Sequence, residues 1–183
     1  MADLANIPLS GKSKNTADIS EEKWYAIYTR PRAEKLVYNR LVEAGVETYL
    51  PLQKTFRTWS DRKKLVEKPL LSSYLFVKTN SKNFPVVYKT NGVVKFVSFE
   101  GQPVSIPQNQ IDNLRLLINS DAEIEVSSVN FVKGDNVTVV TGALIGLTGE
   151  LIKIGGHNRV VVRIDQLDQN LILKIPQAFL RKL

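Results

Sequence analysis

Residues 69–79 read Pro69-Leu70-Leu71-Ser72-Ser73-Tyr74-Leu75-Phe76-Val77-Lys78-Thr79, and their apolar pattern decides the fold. β-Branched and aromatic residues dominate the second part, and Pro69 and Asn80-Ser81 bound it, as expected of a strand. Alternation puts Leu71, Leu75 and Val77 on one side and Tyr74 and Phe76 on the other. Both sets are apolar, so both faces of the strand need a cover. A helix supplies one. The other must meet a further part of the chain or a partner, or remain an exposed apolar patch. Immediately upstream, residues 54–68 carry Lys54, Arg57, Arg62, Lys63, Lys64 and Lys68 against Asp61 and Glu67 only.

The 183 residues suffice for one domain or two small ones, and an apolar share of 43% supports real cores. The absence of cysteine excludes a disulfide framework, a thiolate metal site and a thiol nucleophile. No apolar run reaches membrane-span length and no signal-peptide pattern opens the chain, so a soluble, cytoplasmic protein with no membrane association is expected. The net charge of +7 is concentrated: residues 1–23 carry −1, residues 24–120 carry +8 and residues 121–183 are neutral. A basic block of this kind attracts polyanions, nucleic acid foremost.

Residues 1–23 are polar and read as a flexible leader. Trp24–Tyr28 reads as a strand. Thr29-Arg30-Pro31 reads as a helix start with Thr29 as cap, and Ala33, Leu36, Val37, Leu41 and Ala44 recur on one helical face before Gly45 stops it. Val46–Leu50 is a short strand. Thr55–Trp59 and Leu65–Val66 flank a cationic hairpin tip, residues 60–64. The central strand follows, then a short helix capped by Ser81 with Phe84, Val87 and Tyr88. Val93–Phe99 reads as a strand and Pro107 opens a last helix with Ile111, Leu114 and Leu117 or Ile118 on one side. Such an order predicts an α+β sandwich of ferredoxin type over residues 24–119. Residues 120–130 are acidic and polar and read as a linker. Residues 131–183 hold four short strands, Val137–Val140, Gly149–Ile154, Arg159–Ile164 and Leu171–Ile175, punctuated by glycine turns, which predicts a small barrel with Phe179 and Leu180 closing its end.

The segment Lys133-Gly134-Asp135-Asn136-Val137-Thr138-Val139-Val140-Thr141-Gly142, followed by Gly146-Leu147-Thr148-Gly149-Glu150-Leu151, resembles a KOW motif, a strand–turn–strand unit of an SH3-like barrel. The front block, with Trp24-Tyr25, Glu34-Lys35, Leu50-Pro51 and Ser73-Tyr74-Leu75-Phe76-Val77, resembles the N-terminal (NGN) domain of the NusG family of transcription factors. Together they span residues 23–183. Thr29–Lys35 and Trp59–Lys64 resemble the specialised RfaH- and UpxY-like paralogues that antiterminate polysaccharide operons. Where general NusG carries Phe-Pro-Gly-Tyr, this chain has Leu71-Ser72-Ser73-Tyr74.

The resemblance implies an apolar patch that binds the clamp region of RNA polymerase. Residue by residue, it maps to Tyr28, Leu71, Tyr74, Phe76 and Leu114. Periodicity alone would make Tyr74 and Phe76 ordinary core. A His-Thr-Thr polymerase loop of RfaH has no counterpart at Asn83-Phe84-Pro85. Non-template or upstream DNA is the expected nucleic-acid partner, through Arg30, Arg32 and Lys35 at the first helix and Arg62, Lys63 and Lys64 at the hairpin. The neutral barrel is expected to bind something else; the family's use of it implies the termination factor Rho or a small-subunit ribosomal protein. It is expected to be a β-barrel rather than a helical switch.

Catalytic constellations are lacking. His157 stands alone in a Gly-Gly-His-Asn turn, no metal-ligand spacing occurs, and no phosphate loop is present, so neither enzymatic activity nor a cofactor is expected. The sequence thus points to a monomeric elongation and antitermination factor that suppresses pausing or termination. Its rivals are a general NusG that assists Rho-dependent termination and a free RNA- or ribosome-binding KOW protein.

Overall fold

The computed structural model describes residues 21–183 apart from Ser60, Asp61 and Asp121, and the side chains of Phe56, Arg57, Trp59, Arg62 and Lys63 are also outside the description. The polar leader, up to residue 20, and the hairpin tip at 60–61 therefore lie outside the described residues.

The front domain is built on β1 (Lys23–Thr29), α1 (Glu34–Glu43), β2 (Glu47–Tyr49), the hairpin β3 (Leu52–Trp59) and β4 (Arg62–Pro69), β5 (Tyr74–Thr79), α2 (Phe84–Lys89) and β6 (Val93–Phe96). Its sheet runs β2-β5-β1-β6 with every pairing antiparallel. This is the ferredoxin-type order, with the second hairpin inserted between β2 and β5 as a separate ribbon. Three short strands were not legible in the sequence. Val93–Phe99 is two strands, because β7 (Ser98–Phe99) leaves the sheet to pair with β8 (Gln102–Pro103). Then β9 (Ser105–Ile106) returns to β1. Finally α3 (Gln108–Ile118) starts after Pro107, as the proline predicts.

Strand alternation sorts the core. Tyr25, Ile27, Leu75, Val77 and Phe96 meet Val37 and Leu41 of α1 and Val87 of α2. On the opposite face, Trp24, Ala26 and Phe76 join Ile111, Leu114 and Leu117 of α3. Leu71 is a correction: it precedes the strand, and the turn at Ser72-Ser73 carries it into the α3-side cluster rather than beside Leu75 and Val77.

The first helix begins later than its cap residues suggested. Thr29 ends β1, its N–H donating to the Ser73 carbonyl at 2.8 Å. Arg32 then takes a left-handed backbone (φ 65°), and α1 starts at Glu34 without a side-chain cap. Gly45, at φ 77°, does terminate that helix. Ser81 does not cap α2; Asn80 accepts the N–H groups of Lys82 and Asn83 at 3.1 and 3.3 Å instead.

The C-terminal part is a six-stranded antiparallel sheet in the order β10-β14-β13-β12-β11-β15, the small all-β SH3-like barrel. It comprises β11 (Asp135–Val139), β12 (Thr148–Ile154), β13 (His157–Ile164), β14 (Gln169–Leu173) and β15 (Leu180–Lys182). His157 is an exposed first residue of β13, paired with Ile154, and not a turn residue. The closing turn is a 3-10 turn over Gln177–Phe179 followed by β15, which pairs with β11. The remaining strand, β10 (Ile124–Ser127), lies inside the segment read as a linker and zips along β14. Among the described residues no helix is long and apolar enough to cross a membrane.

Candidate functional site

The residues expected to form the polymerase patch gather on the α3 side of the sheet. Tyr28 of β1 and Tyr74 of β5 are cross-strand partners, with ring centroids 5.2 Å apart and planes at 68°. Phe76, fully buried, stacks on Tyr49 of β2 at 6.2 Å. Leu71 and Leu114 are buried in the same cluster, and Tyr74 and Tyr49 pack against it.

The second half of this cluster comes from the barrel. Val139, Leu147, Val162, Ile164, Leu167, Leu171 and Leu173 are continuous with Phe76, Leu71 and the α3 leucines. A groove of about 430 Å³ marks the seam, with Tyr28, Tyr74, Lys95, Val97 and Ser98 on one wall and Gln166, Leu167 and Asp168 on the other. Beside it a reciprocal clasp joins the domains. Asn113 Nδ2 of α3 donates to the Thr148 carbonyl and hydroxyl, both at 3.2 Å, and the Thr148 N–H returns to Asn113 Oδ1 at 3.4 Å. An amide side chain can serve as donor and acceptor at once, so one residue satisfies both sides of a strand end. Tyr74 titrates above the usual phenol range through burial first, then through Tyr28 and Asp168, the latter from the barrel.

Arg115 links the sheet to α3. Its guanidinium lies 5.5 Å from the ring centres of both Trp24 and Tyr49 and 3.5 Å from Asp112. Trp24 Nε1 donates to Gln108, and Gln108 donates to Asp112, at 2.9 Å each. Burial pushes the Tyr49 phenol up to about 12 against the lowering effect of Arg115.

The turn that presents Tyr74 is held by a residue that the sequence did not single out as a site. Ser73 has φ 65°, the conformation for which glycine is usual. Its N–H donates to the buried Glu34 carboxylate at 2.7 Å, and its carbonyl accepts from Thr29. The left-handed turn at Ser73 is thus held without glycine, because both of its backbone groups are fixed. Glu34 could have been suspected from its place in the first helical turn, but its partner is 39 positions away.

The cationic residues divide. Arg30 and Arg32 are exposed on the turn between β1 and α1, and Lys35 is exposed at the helix start. Arg30 N–H donates to the Gly92 carbonyl at 2.9 Å and Arg40 Nη1 to the Asn91 carbonyl at 2.6 Å, which ties a second turn to the first. Gly92 has φ 101°, and a Cβ there would lie 2.7 Å from Val37 Cγ2, so only glycine fits. Lys35 pairs with Glu67 of β4 at 3.8 Å, which brings the helix start beside the hairpin. Lys64 is exposed on that hairpin; Arg62 and Lys63 occupy β4, with side chains outside the described residues. Among the described residues no cluster of three or more His, Asp or Glu side chains could hold a metal ion.

Comparisons with known proteins identify the family. Residues 22–115 match the family model of the transcription termination factor NusG. The chain is 23% identical over 155 residues to the transcription termination/antitermination protein NusG of Rickettsia typhi, covering 78% of this chain and 81% of that protein. The same protein of Rickettsia prowazekii matches with the same identity and coverage. A solved structure titled "Domain interaction in Thermotoga maritima NusG" superposes with a TM-score of 0.52 at 21% identity, over 89% of this chain and 98% of the other. The family model spans half the chain, so the chain belongs to the NusG family of transcription termination/antitermination factors.

Proposed function

We propose that this chain is an elongation and antitermination factor that binds the clamp region of RNA polymerase through Tyr28, Leu71, Tyr74, Phe76 and Leu114. The observation that carries the reading is the nature of the cover on the second face of β5. One face is sealed within the front domain by α1 and α2, whereas the other continues into the barrel through a mixed apolar and polar seam. A cover supplied by a second domain can leave without unfolding the first. The barrel therefore acts as a plug at rest, and polymerase competes with it for the same surface. Binding then favours the elongating state of polymerase only through differential affinity for that state.

Arg30, Arg32 and Lys35, brought next to the hairpin by the Lys35–Glu67 pair, form the DNA-facing edge with Arg62, Lys63 and Lys64. Contacts to phosphates from this edge give salt-dependent affinity. The Thr29–Lys35 and Trp59–Lys64 segments support the specialised branch that acts at long polysaccharide-type operons. A general role with Rho is the second reading; the Rickettsia relatives are named termination/antitermination proteins. Retention on immobilised Rho through the barrel separates the two.

The test is affinity for purified RNA polymerase of the source organism. Asn113→Ala, which unfastens the plug, is expected to tighten binding about tenfold, because apparent affinity scales with the competent fraction. Tyr28→Ala with Tyr74→Ala in that background is expected to weaken it at least tenfold, these tyrosines being half-buried and removable without opening the core. Equal affinity for all three proteins would defeat the assignment of the patch. Tight RNA binding with no affinity for polymerase would put the free KOW reading first.

A further inference from the structure

The segment between the two domains is almost entirely committed to the barrel. Ile124, Glu125, Val126 and Ser127 pair in register with Leu173, Ile172, Leu171 and Asn170. Asn170 Nδ2 then donates to the Val129 carbonyl at 3.0 Å. Arg163 Nη2 donates to the Phe131 carbonyl at 3.1 Å, while its Nε and Nη2 hold the two oxygens of Glu150 at 3.0 Å each. Glu150 Oε2 accepts the Gly134 N–H at 3.1 Å, and Phe131 packs with Ile152, Val161 and Ile172. At Gly134 a Cβ would collide with the Leu151 carbonyl oxygen, so the chain passes here in close backbone contact. From Ile124 to Gly134 the connection is therefore a strap laid on the barrel. Only residues 119–123 separate it from the end of α3.

We infer that this strap meters how far the barrel can leave the front domain, in two stages. The inference rests on the proposal that the barrel plugs the polymerase site. With the strap zipped, the short tether spans at most about 20 Å from Ile118 to Ile124, enough to admit a pair of packed helices and little more. With the strap peeled from β14 and from the Asn170 and Arg163 side chains, the span from Ile118 to Asp135 reaches about 60 Å. The longer tether also dilutes the barrel around its own docking surface. Effective concentration falls as about the three-halves power of tether length, so unzipping lowers recapture roughly fivefold. Zipped opening is thus short-ranged and readily reversed, and unzipped opening frees the barrel to reach a distant partner.

The chain has no cysteine, so a Glu43→Cys, Lys153→Cys pair takes spin labels cleanly at two exposed positions, one in each domain. Distances are measured in the full chain, in an unlatched variant (Asn113→Ala, Leu167→Ala), and in the unlatched variant carrying Glu125→Pro, Val126→Pro and Asn170→Ala. Of two adjacent strand residues one N–H faces the partner strand, so the proline pair must remove a ladder bond from this edge strand. The unstrapped protein is expected to show a broader distribution that reaches about 40 Å beyond that of the unlatched one, the difference between the two tether spans, with a docked-to-undocked ratio about fivefold lower. Identical distributions in the two would overturn the strap. Amide exchange decides it independently: protection of the β14-facing amides among residues 124–127 in the wild type and the unlatched variant supports it, and coil-like rates for those amides in either reject it. A wild type without a fixed interdomain distance would instead remove the plug reading. Unchanged exchange in β11–β14 confirms that the unstrapped barrel remains folded.

Discussion

The two faces of the front sheet are covered in different ways. Towards α1 and α2 the sheet meets Val37, Leu41 and Val87, with Leu75, Val77, Ile27 and Phe96 packed against aliphatic and aromatic neighbours from the same domain. Towards α3 and the barrel it shows tyrosines, a tryptophan, an arginine between two rings and an asparagine clasp. The first face is permanent core. The second has polar atoms at its rim that water can satisfy once the cover departs, which lowers the penalty of exposure.

The difference can be strained from the strongest point first. Leu75→Ala deletes fully buried volume on the permanent face, and a loss of about 2–5 kcal/mol is expected in thermal or denaturant unfolding of the front domain, with interdomain distance unchanged. Undocking in that variant would show that the two faces are coupled rather than separate. Glu34→Ala leaves the Ser73 N–H buried without a partner. It should cost about 1–3 kcal/mol and loosen the turn that carries Tyr74, read as faster amide exchange at 72–74. Asn113→Ala acts on the barrel-covered face alone: domain stability should hold, while the ratio of docked to undocked protein measured by spin-label distances falls about tenfold. Ser73→Gly relieves a left-handed backbone by more than it adds to unfolded-chain entropy and should stabilise the front domain by about 0.5–1 kcal/mol in denaturant unfolding.

The smallest effect is in acid. Burial acts to raise the Glu150 carboxyl, but the Arg163 hydrogen bond, the Gly134 N–H and the charges of Arg163 and Lys133 outweigh it and hold the group below the usual carboxylate range. A carboxyl depressed in the folded state contributes stability above its unfolded value near 4.5, lost as pH falls through the lower folded value. The barrel's melting temperature should drop in that window, and Glu150→Gln should flatten the drop. An unchanged slope in that variant would show that Glu150 does not anchor the strap electrostatically.

Much of the front domain was legible because its signals are local. Gly45 and Pro107 mark helix ends where the sequence placed them, and alternation in β5 foretold two apolar faces. The misreadings arose where a distant partner overrides a local preference. Thr29 is a competent helix cap, yet its N–H is used by Ser73, and the left-handed Arg32 postpones α1 to Glu34. Residues 120–130 have the polarity of a linker, but β14 offers an unpaired edge, and a polar strand can satisfy it as well as an apolar one.

By itself the sequence determined the α+β front domain, the glycine-punctuated barrel and the concentration of positive charge in the first. Periodicity, turn chemistry and charge act between near neighbours, so they can be read along the chain. Only the tertiary structure decided that the barrel covers the patch, that Asn113 clasps Thr148, that Glu34 holds Ser73 and that the linker is a strap. Each of these joins residues far apart in sequence. Their pairing depends on which surfaces remain unsatisfied after local structure has formed, and that is settled by packing in three dimensions.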